Sequence, residues 1–166
     1  MGDMYREILV KKKTSIAAKL LKGLVTVLTV FCFFVGVMAP VMLIGAAVFG
    51  ALLFFVVPKL DVEYEYLYVN GSLDIDAIYS KQKRKKVGSY DVEELEIAAP
   101  EKSHALDSYL NQGNAKVIDY TSSDPHAKKY IMIYNKEKGR QIIKVEVDDV
   151  ILNDLRRMAP RKVNLM

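Results

Sequence analysis

Between Gly23 and Pro58 the chain carries no charged residue, and a lysine closes the stretch at each end, Lys22 and Lys59. Within these 36 residues Thr26 and Thr29 are the most polar side chains. One straight helix of that length would measure about 54 Å against roughly 30 Å of bilayer hydrocarbon. Two shorter spans fit, and the break belongs near Gly36-Val37-Met38-Ala39-Pro40, because proline removes a helix hydrogen bond and suits the first turn of a new helix. Two transmembrane helices are expected near 20–37 and 40–57, within a membrane segment 20–58. A buried hairpin in a soluble protein is disfavoured, since a chain of 166 residues offers too little to cover so much uncharged surface. A cleaved signal peptide fits no better. Val37-Met38-Ala39 has the small-residue spacing of a cleavage site, but Pro40 would follow the cut and a second apolar run succeeds it.

Basic residues flank the run on both sides. Before it stand Arg6, Lys11, Lys12, Lys13, Lys19 and Lys22; after it come Lys59 and the cluster Lys81, Lys83, Arg84, Lys85, Lys86. Lysine and arginine mark cytoplasmic flanks, so both termini are expected inside a cell membrane that the chain crosses twice. A hairpin dipping into one leaflet satisfies the same charges. Gly45, Ala46 and Gly50 lie close to one face of the second arm, where they would let the two helices, or two copies of the chain, approach closely. The single cysteine, Cys32, lies inside the apolar run and cannot form an internal disulfide. Residues 1–22 form a basic N-terminal segment in which Tyr5, Ile8, Leu9, Ile16 and Leu20 recur at roughly helical spacing. They are expected either as an interfacial helix on an anionic leaflet or as a topology-setting flank, with Lys12 misplaced on the apolar face.

Residues 59–166 read as a separate mainly-β domain. Val62–Val69 alternates, Asn70-Gly71 interrupts, and Ser72–Tyr79 alternates again, which is the strongest short-range hairpin signal. Counting back from the turn puts Val62, Tyr64, Tyr66, Tyr68, Leu73, Ile75, Ala77 and Tyr79 on the core face. The other face carries Glu63, Glu65, Leu67, Asp74, Asp76 and Ile78. Glu65 then opposes Asp76, and like charges directly opposite repel. Lysines from a neighbouring strand, with the face in solvent, are the favoured remedy over a divalent cation, because no calcium loop accompanies these acids. Further strands are expected near 84–90, 93–98, 115–121, 128–135 and 140–147, with a short helix from Ser103 to Asn111 ending near Gly113. A closing helix begins at Asp148 or Asp149 and stops at Pro160. About seven strands and a terminal helix describe a small barrel or pair of sheets sealed at one end.

The stretch Arg84-Lys85-Lys86-Val87-Gly88-Ser89-Tyr90-Asp91-Val92-Glu93-Glu94-Leu95-Glu96-Ile97 resembles the third and fourth strands of bacterial pleckstrin-homology-like (PH-like) domains. Seven strands with a C-terminal helix match that fold over about 62–158, and such domains often follow a pair of membrane helices. The chain as a whole is similar to a family of small bacterial membrane proteins of unknown function. Phosphoinositide-binding members carry their basic cluster between the first two strands. Here it follows the second strand of the domain, so no headgroup site carries over.

The strand arithmetic places the cluster independently of that resemblance. Only about four residues separate the second helix from Val62, and pairing of Val62 with Tyr79 brings Lys81, Lys83, Arg84, Lys85 and Lys86 back toward the lipid surface. These five residues are expected to face an anionic leaflet, each contributing on the order of 1 kcal/mol. No stacking aromatics interleave them, so nucleic acid is not an expected partner. His104 and His126 have no cysteine nearby, and no nucleophile–base pattern, phosphate loop or metal-ligand spacing is present. No enzyme activity, cofactor or metal is expected. The expected function is a non-catalytic binding or scaffolding module at the inner face of the cell membrane, contacting lipid and an unidentified protein. The alternative is an accessory subunit of a membrane transport or secretion complex that acts through its helices.

Overall fold

The computed structural model describes residues 4–110, 115–137 and 139–165. The chain divides into two compact units, one built from residues 13–62 and 78–83 and the other from the remainder.

In the first unit, α1 (Ile16–Met38) and α2 (Met42–Phe55) form a helical hairpin, and a 3-10 turn (Val57–Leu60) extends the second arm. The arms of 23 residues (Ile16–Met38) and 19 residues (Met42–Leu60) are long and apolar enough to cross a membrane. α1 begins earlier than hydropathy alone suggests because Ser15 caps it, its Oγ accepting from Ala17 N at 3.2 Å. The break falls at Ala39-Pro40-Val41, at the end of the expected stretch and one residue beyond it. Small residues set the approach of the arms: Gly36 lies against Leu43, and Gly45 against Cys32. The hairpin unit carries six lysines (Lys13, Lys19, Lys22, Lys59, Lys81, Lys83) and one acid, Asp61, so the positive excess of the chain resides here.

The second unit is two four-stranded sheets and a terminal helix. The first sheet has the order β1-β2-β3-β4, with β1 (Tyr5–Lys11), β2 (Val62–Val69), β3 (Ser72–Tyr79) and β4 (Lys83–Asp91). The second has the order β5-β7-β8-β6, with β5 (Leu95–Pro100), β6 (Lys116–Asp119), β7 (Tyr130–Lys136) and β8 (Gly139–Val145). β6 runs parallel to β8, whereas β5 and β7, and β7 and β8, are antiparallel. Asn70 and Gly71 have φ of 45° and 93°, the left-handed pair that a two-residue turn between right-twisted strands requires. α3 (Asp107–Leu110) follows a 3-10 turn at His104–Leu106, and the helix end expected near Gly113 lies outside the described residues.

Within the segment expected as a helix or plain flank, Tyr5–Lys11 form a strand instead, and the helix begins only at Ile16. β1 pairs antiparallel with β2 over seven residues, from Tyr5↔Val69 to Lys11↔Glu63, and it is the eighth strand beyond the expected seven. Val10 is buried and Met4 and Ile8 pack on the core, a period of two that the helical spacing of Tyr5, Ile8, Leu9 and Ile16 obscured. Lys12 follows that alternation inward, its Nζ over the Tyr64 ring at 5.9 Å. Thus the helical hairpin lies, in chain order, between two adjacent strands of one sheet.

The core joins Tyr66, Tyr68, Leu73 and Ile75 of the first sheet to Met132, Ile143 and Val145 of the second. α4 (Asp149–Met158) adds Ile151, Leu152 and Leu155 to the same core. A core so rich in tyrosine must give each hydroxyl a partner. Tyr66 donates to Tyr120 O at 2.8 Å, Tyr68 to Asp154 Oδ2 at 2.7 Å, and Tyr120 to Val87 O at 3.1 Å. Asp148 both caps α4, accepting from Ile151 N at 3.0 Å, and accepts from Arg6 Nε of β1 at 2.7 Å. On the far face of the second sheet, Leu106 packs with Ile97, Ile131, Ile133 and Ile142.

Candidate functional site

The five basic residues Lys81 to Lys86 do not form one loop. Four of them start β4, and the turn before it is Tyr79-Ser80-Lys81-Gln82, closed by Gln82 N donating to Tyr79 O at 3.0 Å. Its central residues Ser80 and Lys81 both sit in the left-handed region, at φ 47° and 58°. The preceding turn between β2 and β3 meets the same demand with Asn-Gly, which adopts it readily. A Ser-Lys pair there costs on the order of 1 kcal/mol per residue. Two bonds compensate: the serine side chain supplies one, Ser80 Oγ donating to Pro58 O at 3.0 Å, and the backbone the other, Ser80 N donating to Asp61 O at 2.9 Å. These bonds fasten the turn to the end of the apolar arm that closes at Leu60.

β4 then divides the cluster by face. Arg84 Nε donates to Asp76 Oδ2 at 2.6 Å, and its Nη2 pairs with Glu65 Oε2. Lys86 Nζ donates to Asp74 Oδ2 at 2.6 Å, and Ser89 Oγ binds the other oxygen of that carboxylate. Lys11 Nζ stands 3.7 Å from Glu63 Oε1. The like-charge face of the β2–β3 hairpin is therefore neutralised by neighbouring strands, as favoured from the sequence, but chiefly by an arginine and not in open solvent. Glu63, Glu65 and Asp76 are 7%, 8% and 9% exposed. Burial pushes the Glu65 carboxyl above its ordinary range against the opposing pull of Arg84. Burial alone would push Asp74 up, but the Lys86 and Ser89 hydrogen bonds with the charges of Lys86 and Lys136 together hold it below its ordinary range.

Lys81, Lys83 and Lys85 are exposed and make no ion pair among the described residues. Lys81 and Lys83 belong to the same compact unit as the helical hairpin. Of the N-terminal basic flank, Lys11 and Lys12 are held on the sheet by Glu63 and Tyr64, while Lys19 and Lys22 are exposed on α1 and Lys13 precedes it. The flank is thus shared between the two units. Sequence reasoning missed the staple of Ser80 to Pro58. Its only sequence trace is a two-residue turn lacking glycine or asparagine where the strand register demands left-handed residues.

Among the described residues no group of three or more His, Cys, Asp and Glu is placed to hold a metal ion. His104 is fully exposed beside Asp107, its Nδ1 3.2 Å from Oδ2.

A family model described as a bacterial PH-like domain matches residues 2–165. No curated protein and no solved structure matches the chain. PH-like domains are generally non-catalytic, and two apolar helices fit a membrane anchor. The match begins before β1 and ends after α4, so it takes in the inserted hairpin together with both sheets, and the chain belongs to the bacterial PH-like domain family DUF6106.

Proposed function

We propose that this protein is a membrane-anchored, non-catalytic binding module. α1 and α2 cross the cell membrane, and the PH-like domain stands at its cytoplasmic face, where the β3–β4 turn contacts anionic headgroups and the remaining surface engages another protein. One observation carries the lipid contact: Ser80 ties the turn to Pro58, at the end of the second apolar arm, and the exposed Lys81, Lys83 and Lys85 follow directly. Near an anionic leaflet each such lysine is worth on the order of 1 kcal/mol. Arg84 and Lys86 stand outside this role because the acids of β2 and β3 already hold them.

The test uses the whole chain in vesicles of phosphatidylcholine alone or mixed with phosphatidylglycerol. Amide exchange of residues 80–86 slows in the mixed vesicles for the native chain. It is indifferent to the lipid in a Lys81→Gln, Lys83→Gln, Lys85→Gln variant. Equal exchange of the native chain in both lipids rejects the reading.

The second reading is an accessory subunit acting through its helices. A groove of about 520 Å³ on the hairpin, lined by Thr29, Phe33, Leu43 and Ala46 among others, favours it. Exchanging the hairpin for an unrelated one and capturing partners in mild detergent separates the readings. Partners retained favour the domain, and partners lost favour the helices.

A further inference from the structure

Lys11 and Glu63 are register partners at the end of the β1–β2 ladder, and both apolar helices lie between them in the chain. Residues 12–62 therefore form a loop that closes a pair of antiparallel strands whose opposed Cα atoms are about 5 Å apart. Strands cannot pair across a bilayer, because hydrocarbon offers their N–H and C=O groups no partners. β1 and β2 meet only when the intervening segment makes an even number of crossings.

We infer that β1 is a donor strand the PH-like domain lacks until the hairpin has returned to the side on which it began, so that completion of the domain is conditional on correct membrane insertion. The strand is integral to the fold. It supplies seven ladder pairs and the buried Val10, and Arg6 holds the cap residue of α4. Asn70 at the first turn clasps its start, with Met4 N donating to Asn70 Oδ1 at 2.8 Å and Asn70 N donating to Met4 O at 3.1 Å. Without β1, β2 becomes an open sheet edge, Glu63 loses Lys11, and the core that holds Tyr66 and Tyr68 loses Ile8 and Val10. An incomplete domain of this kind exposes an unpaired edge and apolar surface, which marks it for proteolysis. The inference rests on the membrane anchoring proposed above but not on lipid contact by the β3–β4 turn.

The experiment replaces α1 and α2 in the whole chain by one, two, three or four unrelated Leu/Ala spans, which also removes Cys32, with the C-terminal domain cytoplasmic. Glu7→Cys and Leu67→Cys mark directly paired positions. Isolated membranes are oxidised and then digested with trypsin. Two and four spans give the cross-link within one chain and native protection. One and three spans give no cross-link, and digestion of the domain is on the order of tenfold faster or more. Odd-span chains as protected as even-span ones, or a cross-link formed between chains, overturn the inference. Residues 1–12 supplied in the cytoplasm on a soluble carrier restore protection to the odd-span chains. Failure of that rescue would assign the loss to misinsertion and sink the donor-strand reading as well.

Discussion

Arg84 donates through Nε to Asp76 Oδ2 at 2.6 Å while its Nη2 pairs with Glu65, so one guanidinium ties β4 to two carboxylates on two other strands. The Arg84→Ala variant leaves those nearly buried acids facing each other without a cation. The expected loss is about 2 kcal/mol at neutral pH, below the cost of breaking a fully buried pair because the arginine is half exposed. The loss depends on pH. An acid whose folded pKa is raised, as Glu65 is by burial, contributes its stability below the unfolded pKa and loses it as pH rises through the folded value. Removing Arg84 raises Glu65 further, so the gap between variant and native chain narrows on acidification toward about pH 4. Asp74 has the opposite sign: held low, it contributes at neutral pH and loses that contribution as pH falls through its depressed value. Denaturant unfolding of both chains at the two pH values checks this, and a pH-independent gap removes the electrostatic account.

Stability and membrane contact are expected to diverge at the β3–β4 turn. A Ser80→Asn, Lys81→Gly variant relieves two left-handed non-glycine residues and should close the turn more stably by roughly 1 kcal/mol, less the lost Ser80–Pro58 bond. It removes the staple and one exposed lysine together. The chain should therefore melt no lower than the native one while residues 80–86 lose their lipid-dependent exchange protection. A variant that keeps full protection shows that neither Ser80 nor Lys81 positions the turn on the membrane.

Inside the hairpin the approach of the two arms is close enough for chemistry. A Cβ placed on Gly45 would lie 3.3 Å from Cys32 Sγ and 3.8 Å from Cys32 Cβ. The second distance is the mean Cβ–Cβ separation of a disulfide. Gly45→Cys is accordingly expected to form a disulfide with Cys32 on mild oxidation, read as resistance of the pair to alkylation. At Gly36 a Cβ would fall 2.5 Å from Leu43 Cδ2 and 3.2 Å from the Leu43 backbone N, so Leu43 must both change rotamer and give way by a few tenths of an ångström at its backbone. Adding Gly36→Ala should slow disulfide formation, whereas Gly50→Ala, with its nearest neighbour 4.0 Å away, should not.

Most of the fold was legible because its signals were local. The Asn70-Gly71 turn set the register of β2 and β3, Asp148 announced α4, and an uncharged stretch between lysines announced the hairpin. β1 was hidden because its partner lies more than fifty residues away, beyond both helices, and its edge position exposes Tyr5 and Leu9. The resulting mixture of apolar residues mimics a helix. Lys12 on the supposed apolar face was the one discordant residue, and in the sheet it caps the Tyr64 ring. At the candidate site, the sequence located the basic cluster but could not divide it. Which cations neutralise Glu65, Asp74 and Asp76 depends on the face each side chain of β4 takes, and that alternation is broken within the strand.

The break is at Gly88. Lys86 and Ser89, three residues apart, both bind Asp74, while Val87 and Tyr90, also three apart, both join the core, so the two-residue period slips by one between them. Glycine is required there by space. A Cβ at residue 88 would stand 2.5 Å from Tyr90 Cε2 and 3.1 Å from the Tyr120 hydroxyl. Those rings pack edge to face, and Tyr120 donates to the carbonyl of the neighbouring Val87. Gly88→Ala must therefore displace a buried ring whose hydroxyl neighbour is already committed, at an expected cost of about 2–3 kcal/mol. Loss of the near-ultraviolet tyrosine signal should accompany the fall in stability. Combining it with Tyr90→Leu, which vacates the space, should cost less than the sum of the two single changes, because the residues share one site. Strict additivity in that cycle would mean that Gly88 is needed for some reason other than the Tyr90 ring.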